Sequence, residues 1–244
     1  MVDSFAPETI TFAVGIAFLA GVVRGITGFG GALVMAPPLA LLVGAQVAVP
    51  VILLLEGVAA TPMVWQTRSL VRWRVIGPII GAVCVTAPVG GYLLLVVEPQ
   101  VMRRVIAAIV VGFSILLLHG WRYTGPQRAV TAIGVGSLSG VLVGATSMGG
   151  PPKILYLLAG PDRAETTRAN LTYCIAASSL AGAIANWWGG LVSLTTLVAV
   201  LVLAPGYYGG VAAGSRLFAR FDDQRFRRFT LVLLIAISTI ILVI

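Results

Sequence analysis

Two short glycine-rich stretches of this chain carry residue types suited to binding a solute through the backbone. They occupy 25–31 and 144–150 and read Gly-Ile-Thr-Gly-Phe-Gly-Gly and Gly-Ala-Thr-Ser-Met-Gly-Gly. Glycine allows a helix to unwind and another group to approach the backbone. A short helix that begins at such a break points its positive end and its free N–H groups into it. Two such ends that face each other would bind an anion.

The remaining groups of these stretches suit the same chemistry. The hydroxyls of the two threonines can serve backbone groups freed by the break or the solute itself. Close helix packing through small residues is the alternative explanation of the glycines. We predict that the substrate is bound by Thr27, Gly28, Phe29, Gly30, Gly31, Thr146, Ser147, Met148, Gly149 and Gly150. Ser178 and Ser179 are weaker candidates than Ser147.

Three ionisable residues lie inside apolar segments. Arg24 precedes the first stretch, Lys153 follows the second, and Glu56 lies near the centre of another apolar run. A charge at the bilayer centre costs at least about 2.5–3.5 kcal/mol, and such charges mark pathways or pairs. We expect Arg24 and Lys153 to bind substrate, with snorkelling to the interface as the alternative. Glu56 is expected either to pair with one of them or to carry a coupling proton.

Other polar residues are weaker candidates. Arg168 and Asn170 open a later apolar run and are secondary substrate-binding candidates, although we favour placement at a loop end as the explanation. Cys84, Cys174 and His119 cannot form a structural zinc site of the usual spacing. We therefore expect no metal and no cofactor, and we interpret both cysteines as buried small apolar residues.

Composition determines the class of protein. The chain has 244 residues, of which 59% are hydrophobic and 10% are charged, whereas a soluble domain has about 25% charged residues. This predicts a polytopic membrane protein formed by one transmembrane domain over 1–244. The net charge of +8 is interpreted as Lys and Arg in cytoplasmic loops, so no nucleic-acid partner is expected. The acidic start of the chain predicts no removable signal peptide.

The apolar runs form two homologous halves, repeat 1 at about 9–119 and repeat 2 at about 129–244. The glycine-rich stretches are 119 positions apart (144 − 25). A second pattern, an acidic residue followed by Gln and Arg-Arg, precedes the last apolar run of each half, and its two copies are 124 positions apart (228 − 104). The runs predict an all-α fold with helices at about 9–26, 32–44, 47–65, 75–96, 103–119, 129–147, 151–160, 168–187, 194–217 and 228–244.

Loop charge predicts how the halves are oriented. If each broken helix is a re-entrant hairpin, each half has a hairpin plus three transmembrane helices, and the second half is an inverted repeat. With the N-terminus outside, the basic stretches 66–74, 119–128 and 216–228 then lie inside, as Lys and Arg prefer. The alternative makes each broken segment one continuous span, which gives parallel repeats and exports 216–228. We favour the inverted arrangement.

The chain resembles the sulfite exporter TauE/SafE family, also called the toluene-sulfonate uptake permease family. The resemblance rests on Gly28-Phe29-Gly30-Gly31 with Pro37-Pro38 and Gly44, on Gly149-Gly150, and on the duplicated layout. It covers essentially the whole chain. It implies transport of small sulfur-containing or organic anions across the bacterial inner membrane, with 27–31 and 146–150 facing the substrate. The second copy departs from the family pattern at Ser147, Met148 and Pro151-Pro152.

These observations predict a secondary transporter of small anions, such as sulfite or a sulfonate, that works by alternating access with proton coupling through Glu56. No GxxxxGK[ST] motif is present for ATP, and no HExxH or GxSxG motif suggests an enzyme. The alternative is a cation/proton antiporter or a channel that uses Glu56. The expected partners are a small anion and the lipid bilayer, and the chain is either a monomer or a homodimer.

Overall fold

A computed structural model describes residues 7–119, 123, 125, 127–160, 162–217, 231–232, 235–236 and 238–239 of the chain. Over these residues the regular structure is helical, with a short 3-10 turn at Arg68–Leu70. The α-helices are α1 Pro7–Thr27, α2 Gly31–Val43, α3 Ala45–Thr67, α4 Trp73–Val96, α5 Pro99–Leu118, α6 Ala129–Thr146, α7 Gly150–Leu157, α8 Ala164–Trp188 and α9 Leu194–Leu217.

Part of the predicted second repeat lies outside this description. The acid–Gln–Arg-Arg copy at 222–228 is not described. Of the predicted span 228–244, three pairs of residues are described, and they are helical.

Two helices begin four residues earlier than the sequence predicts. α5 begins at Pro99 rather than at 103, because a proline in the first turn loses no helical hydrogen bond. α8 begins at Ala164 rather than at 168. Arg168 and Asn170 therefore lie inside α8 and do not open it, so the assumption that a charged residue marks the helix start is wrong here.

Both broken segments are hairpins. In the first, Thr9 and Ala13 at the start of α1 line one apolar cavity with Leu39 and Val43 at the end of α2, so α2 returns along α1. In the second, Gln127 precedes α6, and its Nε2 donates a hydrogen bond of 3.0 Å to the carbonyl oxygen of Tyr156 near the end of α7. The predicted hairpins are confirmed, and the continuous-span alternative is wrong.

Glycines bring two pairs of helices into close contact, α1 with α9 and α4 with α6. A β-carbon added at Gly25 would collide with the carbonyl oxygen of Val211, and one added at Gly144 would collide with that of Ala87. Such backbone contact stabilises membrane helices that lack a hydrophobic driving force. The first glycine of each stretch therefore serves helix packing, as the alternative explanation proposed.

The contacts between helices follow a reciprocal pattern. The first helix of each half packs in parallel on the fourth helix of the other half, α1 on α9 and α6 on α4. α3 and α8 cross as an antiparallel pair, with Leu53 beside Gly182 and the Tyr173 hydroxyl donating to the Val64 carbonyl oxygen at 2.9 Å. This arrangement is consistent with inverted repeats.

Six described helices are long and apolar enough to cross a membrane, namely α1, α3, α4, α5, α6 and α9. The chain is therefore a multi-pass membrane protein. α8 is long enough but is not among the six, because its sequence is interrupted by polar residues. Several of these polar side chains are buried in the protein, at Thr167, Asn170, Thr172, Ser178, Ser179 and Asn186.

The cysteines differ in their surroundings. Cys174 on α8 is buried as expected, but Cys84 on α4 is exposed, so the expectation is wrong for Cys84. An apolar surface that faces lipid tolerates a thiol as well as a core does.

Candidate functional site

The two broken hairpins line one cavity of about 40 Å³. The first hairpin contributes Phe29 and Gly30, and the second contributes the segment 147–150. α3 and α8 complete the wall with Glu56 and Ser178. Because Glu56 and Ser178 lie near the middle of two full-length helices, the cavity lies about half-way along the helical bundle.

The first break is a turn over residues 28–30, in which two glycines adopt positive φ, 77° at Gly28 and 91° at Gly30. The Thr27 hydroxyl donates a hydrogen bond of 2.8 Å to the carbonyl oxygen of Val23 and accepts one of 3.3 Å from the N–H of Phe29. This side chain therefore ties the last turn of α1 to the backbone that leaves it.

The second break, over 147–149, uses the same hydrogen bonds 119 positions later (146 − 27). The Thr146 hydroxyl donates to the carbonyl oxygen of Leu142 at 2.7 Å and accepts from the N–H of Met148 at 3.3 Å. Ser147 takes the place of Gly28 and has a φ of 62°, which is uncommon for a non-glycine residue. The threonines thus serve freed backbone groups, one of the two roles predicted for them.

The helix ends that face the cavity differ in their donors. In α2 the first helical hydrogen bond is that of the Val34 N–H to the Gly30 carbonyl oxygen, at 3.1 Å. The N–H groups of 31–33 therefore precede the helical ladder. In α7 two of the corresponding positions are Pro151 and Pro152, which have no N–H. The first hairpin therefore supplies most of the backbone donors.

A buried ion pair borders the cavity. The Arg24 guanidinium contacts Oε2 of Glu56, and the side chains are 6% and 5% exposed. The hydroxyl of Tyr207 on α9 donates a hydrogen bond of 2.7 Å to Oε1 of Glu56. Gly31 makes room for this cluster, because a β-carbon there would collide with the Glu56 carboxylate and approach the Tyr207 hydroxyl to 2.8 Å.

The second cation has a different environment. Lys153 on α7 is 1% exposed. Its Nζ donates to the hydroxyl of Ser178, and its separation from the carbonyl oxygen of Cys174 is 3.5 Å. Neither salt bridge found among the described residues involves Lys153. Both predicted cations are buried inside the protein, so the snorkelling alternative is wrong.

The ionised side chains that line the cavity leave a positive charge. Arg24, Glu56 and Lys153 all contribute to its lining. With their ordinary charges, two cations and one carboxylate sum to a single positive charge. A buried charge in surroundings of low dielectric interacts strongly with a counterion. The arrangement can therefore bind one small anion.

The structure brings together most, but not all, of the predicted substrate-binding residues. The cavity is lined by Arg24, Phe29, Gly30, Ser147, Met148, Gly149, Gly150 and Lys153. Thr27, Gly28, Gly31 and Thr146 are not part of its lining and shape the turns or the ion pair instead. Direct contact between these four residues and a substrate stays a prediction.

The secondary candidates are not part of the cavity lining. Arg168 is exposed, and a β-carbon on Gly28 would lie 3.8 Å from its Nε. The Asn170 side chain accepts a hydrogen bond of 2.9 Å from the N–H of Arg72, and Arg72 forms a salt bridge with Asp162. Asn170 therefore joins the segment after α3 to the segment before α8.

One residue of the site was not found from the sequence. Tyr207 lies on α9, 151 positions after Glu56, and a tyrosine among small residues of an apolar helix has no signature of its own. The only signal was the run of glycines around it, which predicts close contact with another helix. Among the described residues, no group of three or more His, Cys, Asp or Glu side chains could hold a metal ion.

Comparison with known proteins gives the family. Neither the curated proteins nor the solved structures include a match to this chain. The family model described as sulfite exporter TauE/SafE matches residues 13–241. This match covers both hairpins and the cavity between them, and the chain therefore belongs to the sulfite exporter TauE/SafE family of membrane transporters.

Proposed function

We propose that this protein is a secondary transporter that carries sulfite, a sulfonate or a related small anion across the bacterial inner membrane. The observation that carries the proposal is the buried Lys153, whose side-chain partner among the described residues is a hydroxyl rather than a carboxylate. It lies in the same cavity as the neutralised pair of Arg24 and Glu56. Burial of an ammonium group without a counterion is costly. An anion that enters the cavity would relieve this cost by pairing with the Lys153 ammonium group.

The cavity favours a compact anion. One water molecule needs roughly 10–15 Å³ of such space, and the cavity offers about 40 Å³. The Lys153 ammonium would neutralise the anion, and the N–H groups at the start of α2 would hydrogen-bond its oxygens. Ser147 and Ser178 would add neutral donors. The anion thus contacts both halves of the protein at once.

The ion pair supports the proposal of proton coupling. Arg24 is engaged by Glu56 while the carboxylate is ionised. A proton bound to Glu56 would neutralise the carboxylate and release the Arg24 guanidinium towards the cavity. Proton and anion would therefore increase each other's affinity, as thermodynamic linkage requires. This role of Glu56 makes the protein a proton-coupled anion transporter.

Alternating access would use the contact between the halves. Broken helices in matching positions of two repeats surround the substrate site of many secondary transporters. Here each hairpin packs on a helix of the other half, α1 on α9 and α6 on α4. Rocking of one half against the other would then expose the cavity first on one side of the membrane and then on the other.

The decisive experiment is transport in proteoliposomes, with radioactive sulfite and methanesulfonate and with imposed proton gradients of either sign. We expect Lys153→Ala to lower anion flux at least about tenfold, since it removes the net charge of the cavity. Glu56→Gln should retain anion binding but lose the dependence on the gradient. Arg104→Ala, a charge change outside the cavity, is the control. No flux of any of these anions under any gradient would refute the proposal.

The cation/proton antiporter makes the opposite prediction. In that case Glu56→Gln would abolish transport, and Lys153→Ala and Arg24→Ala would leave it largely intact. The structure disfavours this function, because Oε2 of Glu56 contacts Arg24 and Oε1 accepts the hydrogen bond from Tyr207. Neither carboxylate oxygen is then free of a partner for binding a cation.

A further inference from the structure

Where α3 and α8 cross, Glu56 and Ser178 occupy equivalent positions in the two halves and differ in charge. At this crossing Gly57 lies against Ser179, and a β-carbon on Gly57 would be 3.6 Å from the Ser179 β-carbon. Glu56 and Ser178 each precede these residues by one position and are 122 positions apart (178 − 56). Both line the cavity.

Each of the two residues binds the cation of its own half. Glu56 on α3 contacts Arg24 of the first hairpin. Ser178 on α8 accepts a hydrogen bond from Nζ of Lys153 of the second hairpin. Ser178 is 2% exposed and its hydroxyl donates to the carbonyl oxygen of Cys174 at 2.6 Å. Among the described residues, the first half therefore neutralises its cation, and the second half does not.

We propose that Ser178 determines the charge selectivity of the cavity, because its neutral hydroxyl stands where the first half has a carboxylate. The inference rests on the proposed transport of anions and adds a specificity-determining residue to it. With a hydroxyl at 178 and Glu56 ionised, the cavity keeps one positive charge, which matches a singly charged anion. A doubly charged anion of the same shape would leave a buried negative charge, which is costly. Position 178 thus selects the valence of the substrate.

The test compares two anions of similar tetrahedral shape, methanesulfonate with one negative charge and sulfate with two. Wild-type protein in proteoliposomes is expected to take up methanesulfonate with the lower KM. Ser178→Asp should raise the KM for methanesulfonate at least about tenfold, because it neutralises Lys153. Ser178→Asn, which is neutral and of the same size as Asp, should raise this KM about threefold at most.

A double variant separates charge from structural damage. Ser178→Asp combined with Glu56→Gln moves the carboxylate from one half to the other and restores the single positive charge. We expect its KM for methanesulfonate to lie, on a logarithmic scale, at least about half-way back from the Ser178→Asp value to the wild-type value. Thermal unfolding of each purified variant establishes that it is folded.

Three outcomes would overturn the inference while wild-type transport stands. The first is a folded Ser178→Asp variant with unchanged KM. The second is equal loss in Ser178→Asn and Ser178→Asp, which would make the hydroxyl rather than the charge decisive. The third is a folded double variant that binds no better than Ser178→Asp. Failure of the wild-type protein to transport any anion would instead refute the proposed function itself.

Discussion

The two broken hairpins of this transporter share their backbone hydrogen bonds and differ in their charges. In each, a threonine donates to the carbonyl oxygen four residues before it and accepts from the N–H two residues after it. In the first hairpin the cation is Arg24, which is paired with Glu56. In the second it is Lys153, which has a serine partner. The same backbone hydrogen bonds thus shape both hairpins, although the two hairpins give the cavity side chains of different charge.

This difference explains how a duplicated fold can form one anion site between its halves rather than one site in each half. The first hairpin contributes the N–H groups at the start of α2, whereas Pro151 and Pro152 remove donors from α7. The second hairpin contributes the uncompensated charge. An anion bound between them, as we propose, would need both contributions, because the first half contributes donors and the second half the net positive charge. Three pairs of substitutions test this difference between the hairpins.

The largest effect is expected at Gly31, compared with Gly150 at the matching position. An added methyl group at Gly31 would collide with the Glu56 carboxylate and approach the Tyr207 hydroxyl to 2.8 Å, whereas at Gly150 the nearest atom is Ile154 Cδ1 at 3.8 Å. Gly31→Ala should therefore disrupt the ion pair and destabilise the protein by about 3 kcal/mol, the cost of a broken buried pair, and transport should fall as folded protein is lost.

Gly150→Ala is the matched comparison, and it should destabilise the protein much less than Gly31→Ala, because the nearest atom to the added β-carbon lies at 3.8 Å. Since Gly150 lines the cavity, any effect of Gly150→Ala on transport should appear without a comparable loss of stability. Flux in proteoliposomes and thermal unfolding in detergent measure both variants. Equal loss in the two would contradict the difference between the halves.

A moderate effect is expected at Tyr207. Tyr207→Phe removes the hydrogen bond of 2.7 Å to Oε1 of Glu56, and a hydrogen bond to a charged group contributes about 1.5–3 kcal/mol. We expect a lower midpoint of thermal unfolding and an altered dependence of transport on the proton gradient, since Glu56 loses a donor that stabilises its ionised form.

Tyr208→Phe serves as the control for Tyr207→Phe. The Tyr208 hydroxyl donates to the backbone carbonyl oxygen of Leu55 at 3.2 Å rather than to a charged group. Its loss should cost about 1 kcal/mol or less and leave the response to the proton gradient as in the wild type. A larger effect in Tyr208→Phe than in Tyr207→Phe would argue against a special role of the first half.

The smallest effect concerns the turns themselves. Gly28 and Ser147 occupy matching positions with φ of 77° and 62°. Glycine adopts this conformation without the steric cost of a side chain. Ser147→Gly should therefore stabilise the protein, and Gly28→Ser should destabilise it, each by about 1 kcal/mol at most.

The midpoint of thermal unfolding measures both of these exchanges. Side-chain collisions do not complicate Gly28→Ser, because the nearest atoms to an added β-carbon belong to Arg168 at 3.8 Å and 3.9 Å. Shifts of the same sign in the two variants would show that the turns do not share one conformation.

Much of the fold follows from the sequence because its signals are local. Apolar runs of membrane length predicted the helices, and the paired glycines and threonines predicted where two of them break. Those signals work because each helix forms its own backbone hydrogen bonds and must do so in lipid. The predicted start of α8 at 168 is wrong because charged and polar residues usually lie at the ends of apolar helices, whereas burial of Asn170 among neighbouring helices allows it inside a helix.

The sequence alone therefore predicts a membrane protein with two broken helices and three charges inside apolar segments. Only the tertiary structure decided that Glu56 pairs with Arg24 and not with Lys153, that Tyr207 joins them, and that Ser178 meets the remaining cation. Residues tens to more than a hundred positions apart make these contacts, and helix crossings bring them together. Local patterns place a charge on a helix, but its partner depends on which helix packs beside it.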